Sequence, residues 1–357
     1  MISNKLKIEI EQVKHSKIQE IDFKNLEFGA TYADHMLVAD YINKEWSSPK
    51  IVPFQNISMS PASSVLHYGQ TIFEGMKAYR ADNNDILIFR PDAHIKRMNA
   101  SARRLCMPEI TEDIFLGGLE ALLKLDNQWV PSLEGCSLYL RPFMFATDEF
   151  IGVRPSSKYK FIIFTSPVSG YYKGTVKVKV ETEFVRAAEG GIGFAKSGGN
   201  YAASLYPAKL AAEQGYQQLL WTDSKEHKYF EESGTMNVMF QINDTLVTPP
   251  LSTSILSGIT RDCIITMAKD MGVKVEERRI SIDEVLSAHK DGTLKDAFGT
   301  GTAATITQIA AINYAGKDYE LPATEKRELS NKLNKDLVDI KHGIGKDKYN
   351  WVHRIKI

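Results

Sequence analysis

The most unusual local chemistry in the sequence lies in Gly190-Gly191-Ile192-Gly193-Phe194-Ala195-Lys196-Ser197-Gly198-Gly199-Asn200-Tyr201, where one lysine stands between two glycine clusters. The run comes close to GxxxxGK[ST], a loop whose backbone N–H groups cradle phosphates. Ala195, however, occupies the place of the glycine that lets such a backbone curl. Pro207 falls where the helix after such a loop would run, and its missing N–H argues against an uninterrupted helix. A second chemistry suits the same lysine: desolvated and near another cation, it loses its proton and can form an imine with an aldehyde. Taken alone, the spacing describes a surface lysine in a glycine loop at least as well, because most lysines are exposed.

Two other segments could take an anion. Ile259-Thr260 follows Gly258 at the start of a helical pattern, and Gly299-Thr300-Gly301-Thr302-Ala303-Ala304 reads as a turn. Each offers backbone N–H groups and a threonine hydroxyl, and each by itself is a common backbone feature. Joined by Arg97, whose guanidinium can pair bidentately with phosphate oxygens, they would make a cup for a monophosphate. The eight histidines include no HExxH and no closely spaced ligand pair, so no metal site is expected, and His67 and His94 read as structural. A GxSxG nucleophile elbow is absent from the sequence.

The elements that must position these residues follow from length and pattern. A chain of 357 residues with 43% hydrophobic content suggests about two domains. Its 44 basic and 44 acidic residues cancel, which leaves no global field to hold a nucleic acid or an anionic membrane. No apolar run approaches the ~18 residues of a membrane span. The opening MISNKLKIEIEQVK alternates charge with isoleucine, so a cytoplasmic location is expected. Cys106, Cys136 and Cys263 are odd in number and far apart, and read as small buried side chains. Apolar runs at 85–89, 137–141 and 160–164 read as strands, interleaved with helical patterns, so the class is mixed α/β. One helix is expected from Asp92, acting as N-cap, to Leu105, with Arg97 off its apolar stripe. Another is expected after Gly258, stopping at Gly272. The stretch VKVKVETEFV alternates like a half-buried strand, and TEKRELSNKLNKDLVDI reads as an amphipathic helix with a solvated face. The proline, glycine and tyrosine of SPVSGYYKGT lack a hydrophobic period and place a domain boundary there. The expected division is an N-terminal domain over 1–167, a linker over 168–181 and a larger C-terminal domain over 182–357.

A longer series of motifs stands in order along the chain. It runs through His67-Tyr68-Gly69, Phe73-Glu74-Gly75-Met76-Lys77-Ala78, Phe89-Arg90-Pro91 with Arg97-Met98, and Tyr139-Leu140-Arg141-Pro142. It continues through Lys196-Ser197-Gly198-Gly199-Asn200-Tyr201, Glu232-Ser233-Gly234-Thr235-Met236-Asn237, Gly258-Ile259-Thr260-Arg261 and Gly301-Thr302-Ala303. From about residue 30 to the end, the chain resembles the branched-chain-amino-acid aminotransferases, pyridoxal-phosphate enzymes of fold type IV.

The resemblance implies a two-domain α/β fold with pyridoxal 5'-phosphate at the domain interface, a homodimer, and amino acids and 2-oxo acids as its small-molecule partners. The implied reaction moves an amino group reversibly between L-leucine, L-isoleucine or L-valine and 2-oxoglutarate. Lys196 would hold the cofactor as a Schiff base and move protons once substrate has displaced it. Tyr201 would hydrogen-bond the cofactor's phenolic oxygen, and Glu232 would pair with its ring nitrogen, keeping the ring able to accept electrons. Arg97, Ile259, Thr260 and Thr302 would hold the phosphate, with Arg186 near the cofactor. Tyr139 and the Thr302-Ala303 amides would receive the substrate α-carboxylate, Phe73 and Tyr68 would wall the side-chain pocket, and Arg141 would meet the second carboxylate of glutamate. Glu231 does not fit the pattern's spacing to Gly234 and is expected to be solvated. Some longer members carry a CxxC pair after the Gly-Thr-Ala turn; Ala304 and Thr307 stand there in this chain, so no thiol switch is implied. Related enzymes with the same cofactor include D-amino-acid aminotransferases and aminodeoxychorismate lyases. Tyr139-Leu140-Arg141-Pro142 and the long N-terminal segment favour the branched-chain enzymes over these, and Ala195 weakens a P-loop NTPase reading of residues 190–197.

Overall fold

A computed structural model describes residues 7–169 and 174–357, so the first six residues and part of the expected linker, 170–173, lie outside the described residues. The chain forms two compact units: residues 7–169, 195–199 and 339–357 make the first, and 174–194 with 200–338 the second. Residues 176–180, inside the segment expected as a linker, form a strand of the second unit.

The first unit is built on one sheet. Its strands are β1 (Glu9–Ile10), β2 (His35–Ile42), β3 (Glu45–Trp46), β4 (Lys50–Pro53), β5 (Thr71–Phe73), β6 (Met76–Arg80), β7 (Ile86–Phe89), β8 (Ser137–Ala146), β9 (Tyr159–Val168) and the C-terminal strand Val352–Ile355. Their order is β1-β4-β2-β9-β8-β6-β7 followed by the C-terminal strand, with β3 on β2 and β5 on β8. All these pairings are antiparallel except β1 with β4. Three helices accompany the sheet: α1 (Ser64–Tyr68), α2 (Pro91–Arg104) and α3 (Gly118–Leu125). Met98 and Ala102 of α2 and Leu119 and Leu122 of α3 share one apolar core with Leu37, Ile72, Ala78 and Ile88 of the strands. The start of α2 differs from expectation. Pro91 opens the helix, where its fixed φ suits the first turn, so the N-cap is Arg90 and Asp92 sits inside the first turn.

The second unit contains β10 (Val176–Val180), β11 (Gln218–Thr222), β12 (Phe230–Ser233), β13 (Met236–Ile242), β14 (Thr245–Thr248), β15 (Lys274–Glu277), β16 (Leu294–Gly301), β17 (Thr305–Tyr314) and β18 (Lys317–Glu320). The order is β12-β11-β10-β17-β16-β13-β14-β15, and β12 also pairs with β13, so the first six of these close on themselves. Closure removes the exposed edges that an open sheet would present. Helices α4 (Gly198–Glu213), α5 (Ile259–Asp270), α6 (Ile282–Lys290) and α7 (Glu328–His342) complete the α-helices of the described residues. α5 has the expected bounds, with Gly258 as N-cap and Gly272 left-handed just past its end.

α4 and the cysteines depart from expectation. α4 runs through Pro207 without a break. The carbonyl that proline leaves without an N–H partner belongs to Ala203, which is exposed, so water can take its place. Of the cysteines only Cys263 is buried, while Cys136 is half-buried and Cys106 exposed. Cys106 lies just past α2 at a φ of 55°, where the chain leaves the helix. No helix among the described residues is long and apolar enough to cross a membrane. Nor do any three or more His, Cys, Asp or Glu residues among them group to hold a metal.

Candidate active site

Lys196 belongs to a short extended piece beside β5. Ser197 bridges Ile72, and the Phe73 N–H donates to the Lys196 carbonyl at 3.0 Å. The Lys196 N–H donates to Ser101 Oγ at 2.9 Å, and the Ser197 N–H reaches the Ala195 carbonyl at 3.0 Å, turning the chain about the lysine. Its Nζ lies 4.7 Å from the centre of the Phe73 ring. The residue is therefore half-buried and fixed at both its N–H and its C=O, which sets aside the surface-lysine reading. Tyr201, five residues on, is in the first turn of α4.

The same unit gathers the aromatic and cationic residues expected to meet substrate. On β8 side chains alternate, so Tyr139, Arg141 and Phe143 share a face, and Phe73 of β5 pairs with Phe143. Arg141 Nη2 donates to the Tyr139 hydroxyl at 3.0 Å, and the guanidinium lies 4.8 Å from the Phe73 ring centre. Arg141 Nε is buried with no hydrogen-bond partner. Gly75 lets the phenol in: a Cβ there would fall 2.9 Å from Tyr139 Cζ. Tyr68 is 44% exposed at the end of α1 and donates to the Ile151 carbonyl, not to these residues.

Behind this face, Arg97 reaches from α2 to Glu74, a residue to which the motifs gave no role. Nε and Nη2 donate to the two carboxylate oxygens at 2.8 Å each, and His94 Nδ1 is 2.6 Å from Oε2. Burial alone would raise the Glu74 pKa; the Arg97 and His94 partners outweigh it and hold the carboxyl ionised, well below the usual carboxylate range. An ionised carboxylate only accepts, so His94 Nδ1 carries the proton. Burial lowers the His94 pKa and outweighs the opposing pull of Glu74, with Arg97 and Lys196 adding to the lowering, which favours the neutral ring. Arg97 is thus off the apolar stripe as expected, yet only 10% of its side chain is exposed, because Glu74 draws it inward.

In the second unit a two-residue turn after Ser233 folds β13 back on β12 and sets Glu232 opposite Asn237. Gly234 is required there, since its φ is +55° and a Cβ would run into the Gln218 side chain. Glu232 is 3% exposed; it accepts the Leu256 N–H at 2.7 Å and the Asn237 amide at 3.4 Å, and Arg186 Nε lies 3.0 Å from its other oxygen. Arg186 also donates to the Ser254 and Gly193 carbonyls. A Cβ on Gly258, the N-cap of α5, would strike the Asn237 amide oxygen, so the first turn of α5, with buried Ile259 and Thr260, starts beside this carboxylate. Thr300 pairs with Asn237 across β16 and β13, and its Oγ1 is buried without a partner. Two residues later Thr302, Ala303 and Ala304 form the tight turn closed by Gly301 and Thr305. The register therefore brings Glu232, Arg186, the α5 N-terminus and the Gly-Thr turn to one end of the closed sheet.

Glu231 departs from expectation. It is not solvated but half-buried, and accepts the Ser254 hydroxyl at 2.5 Å. Burial raises its pKa, with the Ser254 hydroxyl and Arg186 opposing. Adjacent residues of a strand face opposite ways, so Glu231 points away from Glu232, and there the Ser254 hydroxyl covers it. Three residues escaped the sequence reading: Glu74, Ser101 and Asn237. Asn237 was accessible from hairpin arithmetic across Gly234-Thr235, but the partners of Glu74 and Ser101 lie in distant segments.

Comparison with known proteins gives the same direction. Residues 71–312 match the model of the family described as amino-transferase class IV. Branched-chain-amino-acid aminotransferase 2 of Bacillus subtilis (strain 168) is 45% identical, over 99% of this chain and 98% of the relative. The crystal structure of the Escherichia coli branched-chain amino acid aminotransferase superposes with a TM-score of 0.72 at 26% identity, covering 89% of this chain and 99% of that one. A structure of the T.th. branched-chain amino acid aminotransferase complexed with N-(5'-phosphopyridoxyl)-L-glutamate has a TM-score of 0.72 over 90% of this chain and 98% of its own. At 23% identity, that last likeness speaks to the fold alone.

Proposed function

The chain belongs to the branched-chain-amino-acid aminotransferases of the class IV family, pyridoxal-phosphate-dependent enzymes, and we propose that it moves the amino group reversibly between L-leucine, L-isoleucine or L-valine and 2-oxoglutarate. The observation that carries this reading is Arg141. It is a cation laid along the aromatic wall of Phe73, with a buried Nε that has no partner. One pocket can then serve an aliphatic side chain against the ring and a second carboxylate at the guanidinium.

The residues present fit the cofactor. A buried carboxylate suits a ring nitrogen, an amine on a fixed backbone suits an aldehyde, and the unpartnered Thr300 hydroxyl beside the α5 N-terminus suits a phosphate. When bound, pyridoxal phosphate supplies a ring that takes up the electron pair released as the substrate Cα loses its proton. Lys196 Nζ would tether the cofactor and carry that proton. Glu232, backed by Arg186, holds the proton on the ring nitrogen, and Tyr201 bonds the phenolic oxygen. By the family resemblance, Arg97, Ile259, Thr260 and Thr302 would hold the phosphate. Tyr139 and the Thr302 and Ala303 amides take the α-carboxylate, and Phe73 and Tyr68 enclose the side chain. We read the enzyme as a cytoplasmic homodimer on the family's usual assembly.

Single half-reactions followed by the visible spectrum of the holoenzyme test the assignment. L-leucine and L-glutamate should each change the spectrum and D-alanine should not; indifference to L-leucine would overturn it. Gly75→Ala is expected to displace the Tyr139 phenol and raise KM for leucine and glutamate alike by about tenfold, as a typical overpacking cost would. An unchanged KM would remove Tyr139 from carboxylate binding.

A further inference from the structure

Helix α2 carries two holds at once. At Arg97 the guanidinium is clamped by the fully buried Glu74 carboxylate, itself bonded to His94. One turn on, Ser101 is 1% exposed; its hydroxyl donates to the Arg97 carbonyl at 3.0 Å and accepts the Lys196 N–H at 2.9 Å. A serine hydroxyl has a single proton. With that proton on Arg97, a lone pair is left for Lys196, whose carbonyl is fixed from the other side by the Phe73 N–H. The aldehyde and the phosphate arm of pyridoxal phosphate stand on neighbouring ring carbons. The backbone bearing the amine and the helix bearing the phosphate-holding cation must therefore keep one spacing.

We infer that Ser101 is a positioning residue, which fixes the Lys196 backbone from the helix that bears Arg97 and so sets the approach of the lysine amine to the cofactor. This rests on the proposed roles of Lys196 and Arg97. Alanine at 101 would remove the Ser101 acceptor from the Lys196 N–H in a part-buried setting, whereas threonine keeps the hydroxyl.

Borohydride labelling of the unmutated holoenzyme, followed by peptide mapping, comes first: a label away from Lys196 defeats the proposed role of Lys196, and the inference about Ser101 with it. With the label on Lys196, Ser101→Ala is expected to raise pyridoxal phosphate dissociation by about tenfold. It should also move the pH midpoint of the bound cofactor's visible band, while Ser101→Thr stays near the unmutated values on both. A lower melting temperature with an unmoved pH midpoint and unmoved dissociation would overturn the inference, as would equal shifts in the alanine and threonine variants. If the alanine variant does not fold, Ser101→Cys, whose thiol is a weaker acceptor, should give a smaller shift of the same kind. Values identical to the unmutated enzyme would then overturn the inference.

Discussion

Lys196→Ala lowers the turnover of L-leucine by about 10³-fold or more, the loss expected when a positioned proton carrier contributing about 10²–10⁴ is removed together with the cofactor's tether. The fold should survive, because the bonds that hold residue 196 to Ser101 and Phe73 are made by its backbone and remain in the variant. Rapid-mixing single turnovers measure the effect, and the melting temperature of the apoprotein controls for folding. Turnover within about tenfold of the unmutated enzyme would remove Lys196 from the chemistry, since the proton at Cα would then have another carrier.

Arg141→Ala separates the two substrates. A second carboxylate in a partly buried pocket that loses its guanidinium forfeits about 2–5 kcal/mol, so kcat/KM for glutamate falls about 30-fold or more. Leucine brings no second charge. It loses only what Arg141 does for the aromatic wall and for the Tyr139 hydroxyl, the 3.0 Å hydrogen bond and the ring contact at 4.8 Å. A loss of a few-fold is expected for that substrate, on the scale of one neutral hydrogen bond. Parallel kcat/KM measurements decide between the possibilities. Equal losses would mean that Arg141 orients Tyr139 for every substrate and does not read the second carboxylate.

Much of the candidate site was legible because its parts are local. The glycine context of Lys196, the helix start at Gly258 and the turn at Gly301 are each defined within a few residues, where turn and capping chemistry act. The strands at 86–89, 137–146 and 159–168 are apolar runs long enough to be read without knowing their neighbours. Pro207 misled because a local rule about a missing N–H does not know whether the orphaned carbonyl faces water. Glu231 misled for a related reason: its burial depends on closure of the sheet around β12, which its own neighbours in sequence do not encode.

The order of motifs and their residue types determined the family and its cofactor, and singled out Lys196 as the candidate amine. Tertiary structure alone decided who holds those groups. Glu74 meets Arg97 across 23 residues, Leu256 meets Glu232 across 24, and Ser101 meets Lys196 across 95. Propensity and turn chemistry act over a turn or two of chain, whereas a buried charge or N–H finds its partner only when packed strands and helices bring distant segments within about 3 Å.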